Sequence, residues 1–122
     1  MTCVVIFMPV FSVKAEGITV PPIPLYPPDC GAMANTPYRS GNLIVGSGGL
    51  NCTSTKVQID INVELASSNG GHTYNSLTCY NTRSCTVTVT TTYVSGLSWQ
   101  TRTSGYTQGY QWYNSSAWQY IP

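Results

Sequence analysis

Ten consecutive residues constrain this chain more than any other feature. In Lys56-Val-Gln-Ile-Asp-Ile-Asn-Val-Glu-Leu65, the apolar Val57, Ile59, Ile61, Val63 and Leu65 alternate strictly with Lys56, Gln58, Asp60, Asn62 and Glu64. Successive side chains of a strand point to opposite faces. The pattern therefore predicts an antiparallel strand with one face in a core and the other in water.

Weaker runs of the same kind surround it. Leu43-Ile-Val45, residues 73–79 and Thr86 to Tyr93 read as strands, the last with Val87, Val89, Thr91 and Tyr93 on one side. Leu97 to Thr103 follows with Leu97 and Trp99 inward, and residues 110–121 close the chain. Ser67 to Gly71, Asn81 to Ser84 and Val94 to Gly96 are read as turns, Gly105 to Gly109 as a break, and Asn114 to Ser116 as a bend. No helical apolar period runs for three turns. Thr, Ser and Asn fill 37 of the 122 positions while charged residues are only 7%, so uncharged hydroxyls and amides must supply the wet faces. Six or seven short strands at ~10-residue spacing predict an all-β domain, an antiparallel β-sandwich of immunoglobulin-like two-sheet architecture.

The N-terminal segment differs in character. Cys3 to Phe11 is an apolar run of signal-peptide length, and Val13-Lys14-Ala15 has the small-x-small form of a cleavage site, although no Lys or Arg precedes the run. The competing reading is a buried N-terminal strand. Residues 16–29 hold five prolines, which exclude a helix and disfavour central strand pairing. The expected organisation is a signal peptide over 1–15, an extended proline-rich arm over 16–29 and a β-sandwich domain over 30–122.

Removal of residues 1–15 takes Cys3 away and leaves Cys30, Cys52, Cys79 and Cys85. An even set in a small exported chain reads as a disulfide framework. Zinc is the weaker alternative, because no Cys-x2-4-Cys pair exists and His72 is the only histidine. Cys79 and Cys85 flank the Asn81–Ser84 turn and are expected to pair, which leaves Cys30 with Cys52. The same removal leaves Arg39, Lys56, Arg83 and Arg102 against Glu16, Asp29, Asp60 and Glu64, with no net charge. A neutral, sparsely charged surface displaces few counterions, which argues against nucleic acid and against cationic membrane lysis.

From Asn35 onward the chain resembles a loose group of small secreted bacterial proteins without an assigned activity. The matching residues are Asn35-Thr-Pro-Tyr-Arg-Ser-Gly41, Gly46-Ser-Gly48, Cys52, Ile61-Asn-Val-Glu-Leu65, Cys79, Cys85 and Gly96-Leu-Ser-Trp-Gln-Thr-Arg102. The resemblance implies export, β structure and paired cysteines. It transfers no catalytic residue.

Chemistry-bearing residues are few. Asp60 to Glu64 opens like a calcium loop, but strand neighbours two apart are separated by ~6.6 Å, too far to wrap one ion. As a glycosidase pair, Asp60 and Glu64 would stand ~13 Å apart along a strand, beyond the ~5–9.5 Å between catalytic carboxyl groups. His72 is the one conventional base and follows Gly70-Gly71 in a turn, with no Gly-x-Ser-x-Gly context for a serine nucleophile. Gly46-Ser-Gly-Gly49 lacks the lysine and helix of a phosphate loop and reads as a tight turn before Cys52. No catalytic residue, metal ligand or cofactor is expected.

The aromatic residues Tyr106, Tyr110, Trp112, Tyr113, Trp118 and Tyr120 crowd the last seventeen positions, beside Gln108, Gln111, Asn114 and Gln119. Rings that stack on sugars and amides that bond hydroxyls suit a glycan surface, whereas a shared strand face for Tyr110 and Trp112 suits a core. The expectation is a secreted, monomeric, non-enzymatic binding or surface-interaction module for cell-wall or host glycans or a surface protein. An exported toxin or bacteriocin-like effector, with residues 85–103 as a hairpin able to leave the fold, is the alternative. A small hydrolase ranks below both. Intact mass of exported protein is expected to begin at or near Glu16, and a secreted species retaining Met1 to Ala15 would refute the cleavage site.

Overall fold

The computed structural model describes residues 29–122. The expected cleavage site and residues 16–28 of the arm lie outside the described residues. Six strands follow in order: β1 (Cys30–Ser40), β2 (Leu43–Ser67), β3 (His72–Thr92), β4 (Leu97–Thr107), β5 (Tyr110–Ser115) and β6 (Gln119–Ile121). All pairings are antiparallel, and no helix occurs among the described residues.

The strands form one continuous six-stranded sheet, a curled half-barrel, instead of the expected two-sheet immunoglobulin-like sandwich. The cause is the length of β2, which runs 25 residues through positions expected to hold a strand, a turn and a second strand. Its first part, Leu43 to Asn51, lies between β1 and the second half of β3. Its last part, Asp60 to Ser67, lies between the first half of β3 and β4. Between them the register breaks from Asn51↔Ser84 to Lys56↔Thr82, so β2 inserts extra residues opposite β3. Such an insertion bends a strand, and the ribbon turns a corner there.

The corner also accounts for Asn81 to Ser84. That segment is a bend inside β3, with Asn81 at φ 53°, and both flanking stretches pair with β2 and not with each other. A straight strand would hold Cys79 and Cys85 ~20 Å apart, six residues at ~3.3 Å each. Their Cα atoms are 5.8 Å apart and their sulfurs are bonded. The expected pairing is present, but it closes a corner and not a hairpin. Cys30 and Cys52 stand opposite each other in the β1–β2 ladder and form the second disulfide.

Folding the sheet on itself stacks β2's first part on β4, and the stack is tight. A Cβ on Gly48 would sit 1.9 Å from Thr103 Oγ1 and 2.7 Å from the Met33 carbonyl oxygen, and one on Gly46 would sit 2.8 Å from Thr101 Oγ1. Gly105 faces Leu50 and Ile61 in the same way. The glycines read as a turn at 46–49 and as a break at 105 are therefore strand residues that let two layers approach. The break comes at Gln108 and Gly109, both with positive φ, which join β4 to β5 as a two-residue hairpin loop.

Ile44, Leu50, Ile59, Ile61, Val63, Leu65, Cys85, Val89, Trp99, Trp112 and Ile121 form the core. The alternation that predicted the long strand holds from Ile59 to Leu65 but inverts at the corner. Val57 is 77% exposed and Lys56 only 4%. Lys56 Nζ donates to Asp29 Oδ2 at 2.7 Å, to Ser54 Oγ at 3.0 Å and to Gln108 Oε1 at 3.3 Å. Ser54 Oγ also donates to Asp29 Oδ2, and the Thr53 N–H donates to the Asp29 carbonyl. A buried ammonium needs such partners, and they tie the start of β1 to the corner.

Among the described residues β3 pairs with β2 along its length and with no other strand. Because β3 bends, the free edges of its halves face each other near the corner, where Asn75 Nδ2 donates to the Thr88 carbonyl at 2.8 Å.

Two outcomes follow. Gly48→Ala is expected to lower stability by ~1–3 kcal/mol through overpacking against backbone. Gly31→Ala, where a Cβ meets nothing within 4 Å, should stay within ~0.5 kcal/mol. Denaturant midpoints compare them, and equal effects would refute the tight stack.

The second outcome concerns acid. Hydrogen bonds from Lys56 and then from Ser54 hold the Asp29 carboxyl below the usual carboxylate range. A depressed value means stability that is present above the ordinary range and is lost as pH falls through the folded-state value. Asp29→Asn should therefore be less stable than wild type at neutral pH, and the two should converge as pH falls through the lowered folded-state value. Urea midpoints across that range test this, and a constant difference would exclude the linkage.

Candidate functional site

The outward face of the curled sheet is built by cross-strand rows. Thr78, Asp60, Tyr106 and Gln111 stand side by side across β3, β2, β4 and β5. The next row is Ser76, Asn62, Ser104 and Tyr113, and the next is Tyr74, Glu64, Arg102 and Ser115. On β2 and β4 these residues alternate with buried ones (Ile61, Val63, Thr103 and Gly105), whereas on β3 the intervening Asn75 and Leu77 are themselves exposed. Strands ~4.8 Å apart make this an open field ~14 Å wide on the outer side of the curl.

Side-chain hydrogen bonds knit the rows. Ser76 Oγ donates to Asn62 Oδ1 at 2.8 Å, and Gln111 Nε2 donates to Ser104 Oγ at 3.1 Å. Thr78 Oγ1 donates to Asp60 Oδ1 at 2.6 Å, and Gln58 Nε2 reaches both Asp60 oxygens at 3.2 Å. Glu64 bonds His72 Nδ1 and lies 3.7 Å from Arg102 Nη1. The Arg102 guanidinium stands 5.8 Å from the Trp118 ring, and the His72 ring stacks with Tyr74. These bonds hold the polar groups at set positions in place of free rotamers.

The six aromatic candidates separate into two groups. Trp112 belongs to the core, and Tyr110 packs against that core with its ring 6.3 Å from Trp112. The reason is register: Trp112 pairs with the inward Gly105, and Tyr110 with the inward Thr107. Trp112 is thus a packing residue and offers no free ring face. Tyr113, one position on, points outward and is 67% exposed; Tyr106 is 47% and Trp118 46% exposed. Tyr120 is exposed opposite Ser98, on the far side of β4 from this field's centre. Tyr74 joins Tyr106, Tyr113 and Trp118 on the field, although the C-terminal crowding of aromatics gave no sign of it. Its signal was its place two positions from His72 on a strand beside Glu64.

A shallow groove of about 210 Å³ opens among Asp60, Asn62, Ser76, Thr78, Ser104 and Tyr106. A second depression, of about 270 Å³, lies at the end of the sheet away from the corner, between Leu65, Thr73, Thr91, Leu97 and Trp99. There the Trp99 indole N–H is buried with no hydrogen-bond partner among the described residues.

His72 is the first residue of β3 and not part of a turn. It meets Glu64, and no serine among the described residues hydrogen-bonds to it. Asp60 and Glu64 share one face but hold separate partners, as residues of a solvated strand do. Among the described residues no group of three His, Cys, Asp or Glu side chains converges to hold a metal ion. Residues 85–103 do not form a hairpin: residues 86–92 pair with the first part of β2, and β4 pairs with the last. Among the described residues, no helix is long and apolar enough to cross a membrane. Comparison with protein families, with curated proteins and with solved structures finds no match to the chain.

Proposed function

We propose that the domain is an exported, monomeric, non-enzymatic module that binds glycans on its outward face. The observation that carries this reading is the exposure of Tyr106, Tyr113 and Trp118 on one open field whose gaps are filled by amides, hydroxyls and a guanidinium. Exposed rings set close together form the kind of patch that marks an interaction site. Pyranose rings offer C–H faces to such rings and hydroxyls to such polar groups. An open field suits an extended polymer better than a small solute, which would be held by a deep cavity.

Export belongs to the same proposal. Two disulfides persist in oxidising compartments, and Cys3 to Ala15 reads as a signal peptide ahead of them. The resemblance to small secreted proteins points the same way.

Stacking is weak per sugar, so affinity for a monosaccharide should be near the millimolar range, about −4 kcal/mol, and rise on a polymer through multivalency. Pull-down on insoluble cell-wall and plant polysaccharides is expected to retain the wild type. Tyr113→Ala and Trp118→Ala should abolish retention while remaining folded, since both rings are exposed. Trp112→Ala should instead lose ~3–5 kcal/mol of stability. Retention of both surface variants, or of no protein on any polymer, would overturn the proposal.

A further inference from the structure

The outward face carries two carboxylates, and only one of them has a cation. Glu64 is met by His72 and by Arg102. Asp60, four residues back on the same face of β2, has hydrogen-bond donors but no Lys, Arg or His partner among the described residues. Its donors are the neutral Thr78 and Gln58, which hold the carboxylate in place and leave its charge uncompensated.

Asp60 also borders the groove, directly opposite Tyr106, with Asn62, Ser76 and Ser104 on the walls. A fixed anion beside a half-exposed ring, with neutral hydroxyls, an amide and the apolar Ile61 and Leu77 around it, is complementary to a ligand that joins three features. These are an ammonium for the carboxylate, an apolar or cationic face for the ring, and hydroxyls for the walls. Cations within ~6 Å of an aromatic face are attracted to it, and an anion next to that face adds to the attraction.

We infer that the Asp60–Tyr106 groove is the selective subsite of the glycan-binding face, and that it takes a sugar bearing a free amino group. This rests on the glycan reading above and narrows it to polymers of unacetylated amino sugar. Acetylation of the nitrogen removes the charge, adds bulk and leaves Asp60 with no cation to meet. Arg102 with Glu64, under Trp118, would then orient a neighbouring sugar and contribute little to charge selection, because that pair is already neutral.

Binding of glucosamine oligomers and of N-acetylglucosamine oligomers of equal length, measured by calorimetry at low ionic strength and mildly acidic pH, tests the inference. The amino form should bind about tenfold more tightly, from an exposed ion pair and a cation–π contact together. The advantage should shrink with added salt. Asp60→Asn should reduce the amino-form affinity to that of the acetylated form and leave the acetylated form unchanged. Arg83→Gln, an exposed charge change at the corner, should leave the ratio as it is. Near-UV circular dichroism of Asp60→Asn confirms its fold, and Asp60→Ser gives the same comparison if the amide disturbs Thr78. Equal affinity for both oligomers, or an unchanged ratio in a folded Asp60 variant, would refute the amino-sugar subsite and leave glycan binding standing. Failure of both oligomers and of every insoluble polysaccharide to bind would refute both.

Discussion

The structure depends on a corner. β2 and β3 form one long ribbon, and the ribbon bends where β2 inserts extra residues between its pairs with Ser84 and Thr82. Without the bend, Ile44 and Leu50 would lie on a flat sheet far from Ile61 and Leu65. With it, one sheet supplies both walls of its own core. Three kinds of interaction fix the bend. The Cys79–Cys85 disulfide clamps its concave strand, Cys30–Cys52 anchors β1 beside it, and the Lys56–Asp29 pair ties the chain's entry point to it. Glycines at 46, 48 and 105 then let the walls close. In a small chain with few charges, covalent ties at the bend restrict the unfolded ensemble where the geometry is most demanding.

The same bend creates the outward field. Curling turns alternate residues of β2 and β4 inward and leaves the others on one broad surface, so Tyr106, Tyr113, Asp60 and Glu64 come together from three strands. The field owes its rigidity to the core beneath it. Ile61, Val63 and Leu65 interleave with Asp60, Asn62 and Glu64, so a displaced polar group requires a displaced core residue.

Much of this was legible in the sequence. Alternation from Ile59 to Leu65 predicted strand, face and burial, because a period of two has a single structural meaning over that length. The cysteine pairing was expected from a turn between Cys79 and Cys85 and, for Cys30 with Cys52, by elimination; the pairs are present, but the turn is a corner within one strand. Other features were not. Gly46 to Gly49 carries the same local signal for a turn as for close layer packing, and only the partner layer distinguishes them. Residues 30–40 show no alternation, since Gly31, Ala32 and Ala34 are small and Pro37 interrupts the ladder, so β1 had no pattern to announce it. Lys56 and Val57 exchange faces because the bend shifts the phase of the strand, which a count along the chain cannot register. Among the aromatics, alternation separates Trp112 from Tyr113. Which of the two turns inward follows from pairing with Gly105, a fact of tertiary register.

One feature of β3 bears on how such a chain avoids association. Residues 86–92, Thr-Val-Thr-Val-Thr-Thr-Thr, are uncharged, β-prone and free of proline, the composition of a segment that templates fibres when its edge is open. Most proteins protect such an edge with lysines or proline, and this segment has neither. Its protection is geometric. The bend turns the strand's unpaired groups toward its own other half, and the Asn75 amide occupies the Thr88 carbonyl that an incoming strand would need. The disulfide that shapes the core also holds the two halves of β3 at the distance this contact needs. Among the described residues, the covalent tie at the corner and the cover on this edge are thus one and the same piece of geometry.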